Sequence, residues 1–382
     1  MTSTERGDMI FPMKNLFVTA TRQGEGKTLI SLAIMMSLVR KQRKVSYFKP
    51  VGRVSSANNQ NGPKIDNDVA LLKEVCRLTD DPAHIGPLTI SGGFPIEWVT
   101  KTGRDEVLSK ISRAYQEVSK DKDFVVVEGT GNAATGAAFG LSNASLAKQF
   151  NCKVLLVSSG GVGQPIDEIL LNKSYFERAG VELVGVIINK VFPHEIDPIN
   201  SFMKRVLETV NIKMFGVIPY SLDLARPTMR DVMRELHGEC LAGEGYLGNR
   251  IGKVLLGTGS TRGMLQSFDG NVTLVVTGDR EEIVHSALIT AFVTRKKGFT
   301  LAGVIVAGKI KPSEDAMVPL KKTNLPVVWV EPDCYSVASA IHAMNAKLTP
   351  GDAAKLKLAE ETVSQNIDIG GIIDALAKGE KA

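Results

Sequence analysis

The sequence predicts two consecutive α/β units, a doubly wound and mostly parallel sheet followed by a smaller α/β unit. Three observations carry this. From residue 16 to about 220, short apolar runs alternate with longer helical stretches. The runs are rich in Val, Ile and Leu with little polar alternation, as expected of strands covered by helices on both faces. The residues suited to chemistry (Lys27, Lys49, Glu128 and Asn189) fall just after strand ends. In an open α/β sheet that carboxyl edge is where ligands bind.

The predicted strands of the first unit are Leu16–Ala20, Val45–Phe48, Phe124–Val127, Val154–Ser158, Gly185–Asn189 and Met214–Ile218. Helical stretches lie between them at 29–41, 66–78, 104–119, 142–150, 165–179 and 197–210. Crossovers of this length join parallel strands. The character changes between Pro219 and Pro227, where a linker is expected. Beyond it, strands are expected at Lys253–Gly257, Val272–Thr277, Gly303–Val306 and Val327–Val330, with helices at 281–296, 313–322 and 335–346. The expected organisation is a lead-in over 1–14, a first domain over 15–222, a second over 228–346 and a helical tail over 347–382. The sequence leaves open which domain the tail packs on.

Composition narrows the function classes. The net charge of +5 comes from 46 basic and 41 acidic residues spread along the chain, so neither nucleic acid nor a membrane surface is implied. No apolar run approaches the roughly 18 residues of a membrane span. The first residues lack the apolar core of a secretory signal. Cys76, Cys152, Cys240 and Cys334 are widely separated, show no zinc or redox spacing, and suit a reducing cytoplasm as packing residues. The five histidines share no pattern. Trp98 and Trp329 read as packing residues.

The chemistry concentrates in Phe17-Val18-Thr19-Ala20-Thr21-Arg22-Gln23-Gly24-Glu25-Gly26-Lys27-Thr28. A strand enters a Gly-containing turn that ends Gly26-Lys27-Thr28 and opens a helix. Backbone N–H groups there face phosphates, Lys27 neutralises them, and the Thr28 hydroxyl is offered to Mg²⁺. Thr21 stands where the usual G-x-x-x-x-G-K-[ST] pattern has its first Gly, so context carries the assignment. Lys49 ends the second strand before Pro50, which stops the ladder. It faces the loop and is read as a phosphate or substrate contact. Asp66 and Asp68 open a helix, where they can act as caps. Glu128 follows a fully apolar strand and precedes Gly129-Thr130-Gly131, the arrangement that holds Mg²⁺ or its water opposite a phosphate loop. Asp68 is read with it. Asn189 at the end of the fifth strand can read an adenine edge or make a turn.

These segments, with Lys49-Pro50-Val51, Asn67-Asp68-Val69-Ala70-Leu71, Val127-Glu128-Gly129 and Gly185-Val186-Ile187-Ile188-Asn189-Lys190, occur in order over residues 15–220. They resemble dethiobiotin synthetase and its P-loop NTPase relatives, above all the synthetase-like N-terminal domains of long phosphotransacetylases. The resemblance implies ATP and Mg²⁺ as cofactors. It implies phosphate contacts from Thr21, Gly24, Gly26, Lys27 and Thr28, and a γ-phosphate and reacting-group contact from Lys49. It further implies a metal site at Thr28, Asp68 and Glu128, and adenine reading by Asn189. Relatives of the first domain are commonly dimeric, which implies a homo-oligomer.

The second unit resembles a DRTGG domain through Val275-Val276-Thr277-Gly278-Asp279-Arg280, Ala302-Gly303-Val304-Ile305-Val306-Ala307-Gly308 and the Asp333-Cys334-Tyr335 segment. Its Asp279-Arg280 pair reads as a ligand contact or, by preference, a helix-start ion pair. The departures fall on the substrate side. Arg53 stands where synthetases place a small Ser near the diamine, and Arg22-Gln23-Gly24 replaces an Asp-Thr-Glu run. An acetyl-transfer domain and an amidotransferase domain are both absent from the sequence. The expectation is a cytoplasmic MgATP-binding regulatory or sensor protein. The alternatives are an ATP-dependent ligase for a small carboxylate, carbamate or amine, and a dimerising partitioning-type ATPase, in which Arg22 stands for a second loop Lys.

Overall fold

The computed structural model describes residues 14–54, 65–91, 103–290, 298–344 and 346–377. The expected lead-in, except Lys14, and Trp98 lie outside the described residues. The chain forms two compact units, Met1–Ser221 with Leu348–Ala382, and Leu222–Lys347.

The first unit carries β1 (Lys14–Ala20), β2 (Val45–Phe48), β3 (Gly52–Val54), β4 (Thr89–Ser91), β5 (Phe124–Glu128), β6 (Lys153–Ser159), β7 (Leu183–Val191) and β8 (Met214–Pro219). Its helices are α1 (Lys27–Arg40), α2 (Asn67–Val75), α3 (Pro82–Ile85), α4 (Arg104–Ser119), α5 (Asn143–Gln149), α6 (Gln164–Arg178) and α7 (Ile196–Thr209). Six strands make one parallel sheet in the order β2-β5-β1-β6-β7-β8, and β3 pairs with β4 apart from it. Every residue of β2 and β5 is buried, which explains their mostly apolar sequence. The helix α4 buries Val107, Ile111, Ala114, Tyr115 and Val118, a stripe at helical spacing. Under it Phe48, Tyr115 and Phe150 make a ring cluster with centroids 4.2–5.5 Å apart. Each such side chain removed from water contributes about 1.5–3 kcal/mol. The path from β1 through α1 leads to β2 on one side, while β5 connects through α5 to β6 on the other. The carboxyl ends of β1 and β5 therefore lie at a switch point.

The second unit carries α8 (Leu222–Ala225), α9 (Met229–Glu235), β9 (Glu239–Ala242), β10 (Lys253–Leu256), α10 (Thr261–Gln266), β11 (Gly270–Thr277), α11 (Glu281–Leu288), β12 (Phe299–Ala307), α12 (Glu314–Lys321), β13 (Val327–Val330) and α13 (Cys334–Ala343). The sheet order is β10-β11-β12-β13-β9, with only β9 antiparallel. The helices α10, α11 and α12 cover one face through Met264, Ile283 and Leu320; α9 and α13 cover the other through Val232 and Val337. Thr228 opens α9 with a reciprocal capping box to Asp231.

The tail forms α14 (Ala353–Asn366) and α15 (Ile369–Ala377), and it returns to the first unit. Helix α14 packs on α1 and β8, and Arg40 pairs with Glu360. Ile367 bridges antiparallel to Gly216, and the Asp368 N–H donates to the Phe215 carbonyl at 2.8 Å. Gly216 has φ +153°, and a Cβ there would lie 2.1 Å from the Asn366 carbonyl oxygen, so only glycine admits the crossing chain.

Candidate active site

The turn after β1 is shaped by Gly24 (φ 86°) and Gly26 (φ 92°), both in the left-handed region. A Cβ on Gly26 would stand 2.4 Å from Asn189 Nδ2, so the loop and β7 meet through glycine backbone. Thr21 is buried, and its N–H donates to the Val157 carbonyl at 2.9 Å. Helix α1 begins at Lys27 with no side-chain cap and no acidic residue in its first turn. Its N–H groups and positive end are left for an anion.

Five charged side chains gather at this edge. Parallel pairing of β2 with β5 ends at Phe48 opposite Val127, so Lys49 and Glu128 emerge side by side. Lys49 is 6 % exposed and lies 3.3 Å from Asp66 Oδ1 and 3.4 Å from Glu128 Oε1, and it also pairs with Asp68. The Thr28 hydroxyl donates to Glu128 Oε1 at 3.0 Å. Asp66 caps α2 by accepting from the Asp68 N–H at 2.7 Å and accepts from the Arg53 N–H at 2.6 Å. Lys27 completes the group at 9 % exposure.

Burial alone would lower the Lys49 ammonium, but Asp68, Glu128 and Asp66 outweigh it and raise its pKa. Burial lowers Lys27, only partly opposed by Glu128. Burial raises the Glu128 carboxyl, against the pull of Lys49. At formal charges, three carboxylates against two ammonium groups leave this edge short of one cation. The donor set suits a hard divalent ion. Thr28, Asp68 and Glu128 offer oxygens only, and Glu128 Oε1 is already turned to the Thr28 hydroxyl at the start of α1. Among the described residues no three His, Cys, Asp or Glu side chains form a metal cage. Mg²⁺ characteristically takes one or two carboxylates and completes its shell with phosphate and water oxygens.

Asn189 is buried, and its Nδ2 donates to the Glu25 carbonyl at 2.8 Å while its Oδ1 accepts from the Lys190 N–H at 2.9 Å. It braces the loop, and each amide atom retains capacity for one further bond. Lys190, at φ 61°, donates to the Gly24 carbonyl at 2.6 Å. Arg22 is bound through Nε to both Glu168 carboxylate oxygens at 2.7 Å within its own chain. The Arg53 guanidinium reaches Gln23 Oε1 at 3.1 Å.

Sequence reading brought together Thr21, Gly24, Gly26, Lys27, Thr28, Lys49, Asp68, Glu128 and Asn189, and the fold gathers all of them. It read Asp66 as a helix cap, which it is, but missed its contact with Lys49, and it missed Tyr47 and Ser31, whose buried hydroxyls border Glu128. Spacing could have found them. Tyr47 lies two residues before Lys49 on a strand, and Ser31 three after Thr28 on a helix. In the second unit, Arg280 pairs with Glu282 at 2.6 Å and donates to the Gly259 carbonyl at 2.9 Å. The expected helix-start ion pair exists, with Glu282 rather than Asp279 as partner. Cys76 and Cys152 are buried, whereas Cys240 and Cys334 are only half-buried. Trp329 packs and also donates to the Gly308 carbonyl at 2.9 Å.

Residues 231–344 match the DRTGG domain. Phosphate acetyltransferases of Nitratidesulfovibrio vulgaris and Pseudomonas aeruginosa are 24% and 26% identical, each over 93% of this chain and 50% and 51% of their own length. The chain thus spans about half the length of these curated relatives. The ATP-dependent dethiobiotin synthetase of Aquifex aeolicus is 28% identical over 57% of this chain and 90% of its own. The solved MinD cell division protein of Aquifex aeolicus aligns with TM-score 0.34 and 14% identity over 55% of this chain and 84% of that one. No helix among the described residues is long and apolar enough to cross a membrane. Residues 14–228, more than half of the sequence, match the AAA domain family, and the chain belongs to that family, with a DRTGG domain behind its P-loop domain.

Proposed function

We propose that the first unit binds MgATP and that the chain acts as a nucleotide-dependent regulatory or sensor protein of phosphotransacetylase-like design. The observation that carries this is two buried lysines, Lys27 and Lys49, set against Glu128 and Thr28 at the uncapped start of α1. Lys27 and the loop N–H groups would hold the phosphates, and Lys49 the terminal one. Thr28, Asp68 and Glu128 would hold Mg²⁺, which neutralises phosphate charge when bound. Asn189 would use its spare amide capacity on adenine. The altered substrate side, Arg53 with Gln23, favours sensing over dethiobiotin formation. A cytoplasmic setting and a homodimer belong to the same proposal.

Calorimetric titration with MgATP tests it: the wild type should bind and Lys27→Ala should not. Undiminished affinity in Lys27→Ala overturns the reading. ADP release separates it from the ligase alternative, which Lys49 among its carboxylates would serve. Binding without turnover supports the sensor. Release strongly stimulated by one amine or carboxylate, with bicarbonate present, supports the ligase instead.

A further inference from the structure

Three polar atoms at the candidate site are buried with no hydrogen-bond partner among the described residues: Oε2 of Glu128, the Tyr47 hydroxyl and the Ser31 hydroxyl. They are not scattered. Tyr47 and Lys49 share one face of the β2 path, and Tyr47 sits opposite Val126, two residues before Glu128. Ser31 rides on α1 three residues after Thr28, so both hydroxyls of that helix turn toward β5. Tyr47 and Ser31 are each 0 % exposed, and both hydroxyls lie against the Glu128 carboxylate. Two donors and one acceptor oxygen, each desolvated and each unmatched, form a set that can satisfy itself.

We infer that Tyr47 and Ser31 are positioning residues that clamp Oε2 of Glu128 from behind. Oε1, which already accepts from Thr28, is thereby held toward the phosphate loop. Groups behind a metal-binding carboxylate fix its orientation and commonly change metal affinity by 10–100-fold when removed. The inference rests on the proposed MgATP reading, because it assigns Glu128 to the cation. It differs from a packing role for Tyr47, in which the ring alone matters and Phe would serve as well.

The test is ATP affinity measured by calorimetry in EDTA and in excess Mg²⁺, for the wild type, Tyr47→Phe, Ser31→Ala and the double variant. The clamp predicts that Tyr47→Phe cuts the Mg²⁺-dependent gain by about tenfold. Ser31→Ala should cut it by less, and Mg²⁺-free affinity should stay constant in both. In a Glu128→Gln background, Tyr47→Phe should change nothing further. An unchanged gain in the double variant overturns the inference, as does an equal fall with and without Mg²⁺. If Tyr47→Phe does not fold, Ser31→Ala carries the same test alone. A wild type that gains nothing from Mg²⁺ overturns the parent reading together with this one. That failure is distinguishable because it is seen before any variant is made.

Discussion

At the carboxyl edge of the first sheet, Lys27, Lys49, Asp66 and Glu128 are all buried, while the loops at the same edge of the second sheet keep Lys309 and Lys311 exposed and Arg280 half-exposed. Among the described residues of the second unit, the buried polar side chains are only Thr228 and Thr273. Burying a charge is costly unless it is paired or serves a ligand. At this edge the first unit maintains those four charged groups in that condition, and the second maintains none among its described residues. Parallel sheets with similar edges thus differ in what they are organised to hold. A preorganised ionic site belongs to the first, and surface ion pairs to the second.

Substitutions can break this contrast. Lys27→Ala carries the largest expected effect, a loss of ATP affinity of about 100-fold or more, since charge-assisted contacts to phosphate disappear. Next comes Glu128→Gln, which keeps the shape and removes the charge that offsets Lys49. It should abolish most of the Mg²⁺-dependent gain while leaving Mg²⁺-free binding intact, as read by the paired titrations.

Gly26→Ala forces a Cβ onto Asn189 at 2.4 Å and fixes a non-glycine residue at φ 92°. Stability should fall by about 1–3 kcal/mol, visible in urea melts, with weakened nucleotide binding. Arg280→Ala sharpens the comparison from the other side. Its pair with Glu282 is partly solvated, so its removal should cost less than about 1 kcal/mol. A loss of several kcal/mol in the same melts would show that the second edge is more organised than its burial implies.

The site was legible where function sits on a strand end. Lys49 and Glu128 each follow an apolar run, and Gly26-Lys27-Thr28 opens a helix, so the predicted strand ends together with the loop motif point to them. Tyr47 and Ser31 were passed over, although spacing aligns them with Lys49 and Thr28, because packing explains each position as well. The β3–β4 pair escaped because three-residue strands show no period. Edge strand β9 escaped because its apolar run, Cys240-Leu241-Ala242, is too short to show a period and is only half-buried. The tail was readable as helix but not as to partner. Its attachment depends on Gly216, whose role appears only when Ile367 crosses it.

That crossing governs the order of assembly. Synthesis proceeds from the N-terminus, and domains generally fold as they are completed. Leu222–Lys347 leaves the ribosome before Leu348–Ala382, so the second unit has all its residues while β8 and α1 of the first still lack their covering helices. The unit begun first is finished last. During that interval the outer edge of β8 is open to pairing with another chain. A ribosome stalled after Lys347 would hold a complete second unit and an unfinished phosphate-loop unit.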